Sequence, residues 1–126
     1  MYVELHSCSA FSFLEGASLP EDLIAEAARL ELSAIALLDR DGVYGSPRFH
    51  MAAMKAGIRA HVGAEISVEG LGTQAALPKW IPNRIPQRPV RLALLVENRK
   101  GYQNLCRLIT RYKLRENHCL ISKSGN

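Results

Sequence analysis

Residues 34–45 read AIALLDRDGVYG. Five apolar residues come first, 34–38, without an alternating polar face, and this pattern predicts a strand that is buried on both sides. Asp39 and Asp41 follow directly. Because barrels and open α/β sheets build their sites where buried strands end, these carboxylates are candidates for a functional site. The alternative is that they only form the turn and cap the next helix.

The sequence around this strand predicts further strands and helices in alternation. Residues 2–6 have strand composition, and Ser18 with Glu21 forms a capping box that begins a helix. A second helix is predicted over 46–56, and a third strand within 58–68. Strands that are joined by helices run parallel with right-handed crossovers, so the fold class is α/β with a parallel βαβαβ order. The loop after the first strand is expected to bury its apolar side chains, Phe11, Phe13 and Leu14.

The second half of the chain begins with a different composition. Residues 70–90 contain four of the six prolines, which predicts a long connection without regular structure. A fourth strand is predicted at 90–96 and a helix at 100–114, with Tyr102, Leu105, Leu108, Ile109 and Tyr112 on its buried side. The chain is therefore predicted to be one domain in three parts: strands and helices over 1–69, the connection over 70–90, and a strand, a basic helix and a tail over 91–126.

Charge is divided unevenly along the chain. Residues 1–70 carry five Lys and Arg against ten Asp and Glu, whereas residues 71–126 carry eleven against two. A basic segment of this kind can follow a phosphate backbone. The alternative is that the charges form a solvated face or pair with the acidic first half. The candidate nucleic-acid contacts are Arg107, Arg111, Lys113 and Arg115.

The cysteines, the apolar runs and the first residues indicate where in the cell the protein is located. The three cysteines contain no CxxC pair, so neither a disulfide framework nor a zinc knuckle is implied. The longest apolar runs, about five residues, are too short to span a bilayer. The first residues lack a basic segment and include Glu4, which predicts that they are not a signal peptide. We expect a cytoplasmic protein with no membrane partner.

Three predicted strands bring possible metal ligands to one rim. His6 ends the first strand, Asp39 follows the second and Glu65 lies in the third. A histidine with two carboxylates is a ligand set for zinc, manganese or iron, and such metals activate water for phosphoester hydrolysis. The alternative is that His6 is an ordinary histidine whose polar atoms are satisfied within the core.

Several stretches resemble a known family. LHSCSAFSFLEGAS, ALLDRDGVYGSPRFHMAAMKAGIR and VGAE are similar to the opening motifs of the PHP (polymerase and histidinol phosphatase) domain. The similarity is closest to the copy in bacterial C-family polymerases, the DNA polymerase III alpha subunits, and LALLVENRKGYQNLCRLITRYKL resembles the segment that follows there. The combination looks most like the error-prone branch. The resemblance implies the front half of a distorted (βα)₇ barrel that holds metal ions at the carboxyl ends of its strands.

The resemblance also implies an incomplete metal site. The family motif H-x-H reads His6-Ser7-Cys8 here, so a thiol replaces the second histidine. The motif T-D-H reads Leu38-Asp39-Arg40, and a guanidinium cannot be a ligand. We expect Arg40 to form an ion pair with Asp39 or Glu65 in place of a metal. The implied site for zinc or manganese is therefore degenerate and consists of His6, Cys8, Asp39 and Glu65.

The resemblance predicts that the chain is a fragment of the PHP domain of an error-prone DNA polymerase alpha subunit. The fragment is expected to be structural and to have the remainder of the polymerase chain as its partner, with DNA as a further candidate. The only D-x-D, Asp39-Arg40-Asp41, aligns with the PHP motif and not with a polymerase palm. One alternative is a metal-dependent phosphoesterase or 3′→5′ exonuclease. Another is a free-standing binding protein whose sheet edges a second copy covers.

Overall fold

The computed structural model describes residues 2–68 and 90–122, with side chains up to residue 114. The predicted connection therefore lies outside the described residues, apart from Val90. No helix in the described ranges is long and apolar enough to cross a membrane. The elements in chain order are β1 (Glu4–Ser7), α1 (Pro20–Arg29), β2 (Ala34–Arg40), α2 (Ser46–Ala56), β3 (Arg59–Val68), β4 (Val90–Leu95) and α3 (Arg99–Ser122).

The four strands form one sheet in the order β1-β2-β3-β4. β1, β2 and β3 are parallel, which confirms the prediction for the βαβαβ part. β4 departs from it, because it pairs with β3 in the antiparallel direction. An antiparallel neighbour needs no crossover over a face of the sheet, unlike a parallel one. The fold is thus α/β with a mostly parallel sheet.

β2 is the central buried strand, as its apolar run predicts. Every residue from Ala34 to Asp39 is buried. One face of the strand packs against α1 and α2. Ile24 and Ala27 are three residues apart and therefore lie on the same side of α1, which contacts the strand. The buried members of this core are Ile24, Ala27, Ile35, Leu37, Phe49 and Ala53.

α3 packs against β3 through a narrower stripe than its sequence predicts. Leu105 and Ile109 are buried with Ala64 and Ile66, but Leu108 is exposed. The helix also continues to Ser122, beyond the predicted end, so most of the predicted tail is helical.

The helix ends differ in detail from the prediction. α1 is capped one residue later than expected, at Leu19, whose backbone N–H donates to Asp22 Oδ2 at 3.2 Å. α2 begins after Gly45, which makes no side-chain capping bond, so neither Asp39 nor Asp41 caps this helix. It ends as predicted at Gly57, whose φ of 70° is the left-handed conformation that glycine adopts readily.

Candidate functional site

The carboxylate of Asp39 is buried at the end of β2, with only 1% of the residue exposed. Its Oδ1 accepts hydrogen bonds from the Ser9 backbone N–H at 2.7 Å and from the Ser12 hydroxyl at 2.9 Å. The Ser9 hydroxyl lies 2.9 Å from Oδ1 and 2.8 Å from Oδ2. Hydrogen bonds to a carboxylate are among the stronger ones in proteins. Asp39 therefore anchors the first loop, residues 8–19, which connects β1 to α1.

Asp39 and Glu65 point to opposite faces of the sheet. The register pairs Arg40 with Glu65 and Asp39 with Ala64. Paired residues share a face and successive residues alternate, so Arg40 is the one that lies beside Glu65. A Cβ added to Gly45 would be 2.8 Å from Asp39 Oδ2, which places this carboxylate against the start of α2. His6, Asp39 and Glu65 were expected to meet at one rim of the sheet. Asp39 does not lie there, because its side chain is on the opposite face from Glu65.

His6 and Glu65 are the two predicted ligands that the fold brings together. His6 Nε2 lies 3.4 Å from Glu65 Oε2, and the histidine is the more exposed of the two. His6 is near the carboxyl end of β1, and Glu65 is paired in register with Arg40, the last residue of β2, so the pair lies at the rim where the sequence predicts a site.

Cys8 lies near several carboxylates. Burial raises the pKa of its thiol, and the negative charges of Asp39, Glu15 and Glu65 raise it further. Zinc is bound by the thiolate, so this environment opposes the form of Cys8 that a metal site would need.

Arg40 forms an ion pair, as expected, but with different partners from those predicted. Its Nη1 donates to Glu15 Oε1 at 2.7 Å, and its Nε lies 3.7 Å from Asp41 Oδ2. Arg91 of β4 also donates to Glu15, at 2.5 and 3.1 Å. One carboxylate in the first loop is thus held by guanidinium groups from two strands.

Asp41 also has a role that the sequence does not reveal. It accepts hydrogen bonds from the Ser67 backbone N–H at 2.7 Å and from the Ser67 hydroxyl at 2.9 Å. The turn after β2 is thereby fixed to β3, so Asp41 stabilises the sheet.

The first loop contains the residues that sequence reasoning missed. The polar Ser9 and Ser12 are buried, whereas Phe13 and Leu14 are 80% and 89% exposed, and Phe11 is also exposed. The expectation that the apolar side chains fill the space beneath this loop is wrong. A buried carboxylate requires donors, but Ser9 and Ser12 are 30 and 27 positions from Asp39 in sequence, so the local pattern does not single them out.

The predicted metal ligands do not meet as one set. Among the residues that the structure describes, no group of three or more His, Cys, Asp and Glu is placed to hold a metal ion. A zinc site takes three or four protein ligands, whereas only His6 and Glu65 are adjacent here. The described geometry does not fit zinc or manganese, and the four-residue ligand set remains a prediction for metal analysis to test.

The predicted nucleic-acid contacts differ among themselves. Arg107 and Arg111 are exposed. Lys113 is half-buried, bonds through its Nζ to the Tyr44 hydroxyl and lies 4.9 Å from the centroid of that ring. The side chain of Arg115 is outside the described part of the chain.

Comparison with known proteins identifies the family. The PHP domain model matches residues 4–123. The chain belongs to the PHP domain family. This PHP chain is 49% identical over 110 residues to an error-prone DNA polymerase of Anaeromyxobacter sp. strain K, covering 87% of the chain and 9% of that polymerase.

A second relative gives the same result. The error-prone DNA polymerase of Mycobacterium tuberculosis H37Rv is 47% identical over 106 residues, which are 84% of the PHP chain and 9% of the polymerase. The chain thus spans only 9% of the length of these relatives. Among solved structures, a Bifidobacterium adolescentis protein described as a metal-dependent phosphoesterase overlaps 52% of the chain and 22% of its own, with 27% identity and a TM-score of 0.49.

Proposed function

We propose that this chain forms the opening part of the PHP domain of an error-prone DNA polymerase and acts there as a structural scaffold. Its relatives of that name match 87% and 84% of the chain at 49% and 47% identity. DNA synthesis across damage would belong to the rest of such a polymerase.

The observation that carries the scaffold role is the environment of Asp39. Its carboxylate accepts hydrogen bonds from Ser9 and Ser12, which fix the first loop to β2. A carboxylate that accepts hydrogen bonds from three buried donors stabilises a fold well, and these bonds compete with a metal ion for its lone pairs.

A second group of contacts supports the same role. Glu15 of the first loop is paired with Arg40 at the end of β2 and with Arg91 in β4. In the family pattern, the position of Arg40 is a histidine. A guanidinium stays protonated, cannot donate a lone pair to a metal and repels cations nearby. Arg40 in place of the family histidine therefore removes a metal ligand. Through Glu15, it instead helps to connect the first loop, β2 and β4.

The second candidate function is metal-dependent phosphoester hydrolysis. The separation of 3.4 Å between His6 and Glu65 favours it, because the two side chains are adjacent and either can be a ligand. Cys8 and Arg40 oppose it for the reasons given above.

Hydrolysis and stability measured on the same variants separate the two candidates. The substrate is bis(p-nitrophenyl) phosphate with added zinc or manganese, and the variants are His6→Ala and Glu65→Gln. The scaffold role predicts no release of p-nitrophenol above that of the buffer for the original chain and for both variants. Melting followed by circular dichroism reports any effect on the fold.

Metal-dependent hydrolysis that needs His6 would contradict the scaffold role. Hydrolysis by the original chain that falls a hundredfold or more in His6→Ala, with an unchanged melting temperature, would refute the scaffold role and establish the second candidate. A Lys55→Ala variant, altered at an exposed site on α2, serves as the control in both assays.

A further inference from the structure

We propose that the solvent-facing side of α3 binds the phosphate backbone of nucleic acid through a basic stripe, defined as Lys100, Arg107 and Arg111. This adds a ligand to the chain and goes beyond its role as a scaffold. The stripe includes only two of the four residues that the sequence nominated for such contact.

The helix geometry aligns the three cations. Successive residues of an α-helix are separated by about 100°, so the members of the stripe lie within an arc of about 40°. Leu105 and Ile109, which are buried against β3, lie on the opposite side of the helix. The packing of α3 thus fixes the stripe toward solvent. With a rise of about 1.5 Å per residue, Arg107 and Arg111 are about 10 and 16 Å along the axis from Lys100.

No side chain that the structure describes neutralises the stripe. Four other arginines form ion pairs with carboxylates, namely Arg29, Arg40, Arg48 and Arg91. Among the side chains that the structure describes, none of the three stripe residues has a carboxylate within ion-pair distance. Lys113 does not belong to the stripe, because its ammonium is directed to Tyr44. The described side chains therefore leave the positive charge of the stripe available to a ligand.

The chemistry of this face favours phosphates. Each strand of duplex DNA carries one charge per about 3.4 Å of axis, so a stripe about 16 Å long passes several phosphates. Gln103 and Asn104 flank the cations, and their amides are donors to phosphate oxygens. A membrane surface is a poorer fit, because an interfacial helix must insert its apolar side, and that side of α3 is packed on the sheet.

The test is binding of fluorescein-labelled 20-nucleotide DNA, single-stranded and duplex, followed by anisotropy at several salt concentrations. With three phosphate contacts, log K against log[salt] should have a slope of about −2.7 for the duplex and about −2 for the single strand. The double variant Arg107→Glu/Arg111→Glu should reduce the magnitude of the duplex slope by about 2 and weaken binding at least tenfold at low salt.

The matched control is Lys55→Glu/Arg59→Glu, which makes the same change in net charge at two exposed cations on α2 and β3. It should retain the slope and most of the affinity. Circular dichroism checks that both variants fold, and the neutral pairs Arg107→Gln/Arg111→Gln and Lys55→Gln/Arg59→Gln replace them if either does not.

Three results would overturn the proposal: no binding to either DNA, equal weakening in the control, or equally tight and stripe-dependent binding to polyglutamate, which would indicate an acidic protein partner. Cleavage of the labelled DNA would contradict the scaffold role instead and leave the binding result intact. The two proposals therefore fail separately.

Discussion

A carboxylate as buried as Asp39 is tolerated only where donors surround it. Two serines meet that need, and they lie 30 and 27 positions away in sequence. The apolar run before Asp39 was enough to predict that this residue ends a buried strand. The sequence does not disclose which face it occupies or which loop supplies its donors, because both depend on long-range contacts.

The substitution Asp39→Asn tests this residue directly. It replaces one acceptor oxygen with a donor opposite buried hydroxyl and amide donors, so we expect a loss of about 2–3 kcal/mol of unfolding free energy. Urea denaturation measures it, with Asp22→Asn, which alters an exposed hydrogen bond at the start of α1, as the control. The loss should be the same in EDTA and in zinc. A loss that appears only with zinc present would make Asp39 a metal ligand.

At the scale of an element, the first loop shows where sequence patterns fail. Its aromatic residues suggested a buried plug, yet the serines are inside and Phe13 is exposed. Residue hydrophobicity was outweighed here by the need to satisfy the Asp39 carboxylate and by the ion pairs of Glu15. The helix α2 and the continuous apolar strand β2 were predicted closely because local pattern and packing agree there.

The substitution Gly16→Ala tests how tightly this loop closes. A Cβ at Gly16 would lie 2.0 Å from the backbone oxygen of Ser9, which cannot rotate away. We expect a loss of about 1–3 kcal/mol in unfolding free energy, as in other overpacked sites. Urea denaturation is again the measurement.

Gly101→Ala is the matched control for that change. Its added Cβ would have no neighbour closer than 3.6 Å, and the position is within α3. Alanine in a helix should therefore raise the stability by about 0.5–1 kcal/mol. Equal effects of the two substitutions would show that the backbone of the first loop is not closely packed at Gly16 and Ser9.

At the scale of the whole molecule, strand direction was only partly predictable. Helices between β1, β2 and β3 imply parallel strands, and these three are parallel. The segment before β4 had no helical pattern, and that absence was the available sign that β4 need not run parallel. Family motifs identified the PHP domain, but the fate of its metal site depends on how His6, Cys8, Asp39 and Glu65 meet in three dimensions.

The sheet also has two outer strands, β1 and β4, in the described part of the chain. An open edge can pair with another strand. In a longer polymerase, the rest of the chain would cover these edges. The alternative of a free-standing protein would need a second copy to do so.

Metal content after incubation with zinc and manganese and dialysis tests the central claim most directly. Elemental analysis should find well below one ion per original chain. The variant Cys8→His/Arg40→His, which restores both family imidazoles, serves as the positive control and should retain more metal. One or more ions per original chain, lost on His6→Ala or Glu65→Gln, would contradict the account and show that the site is still assembled.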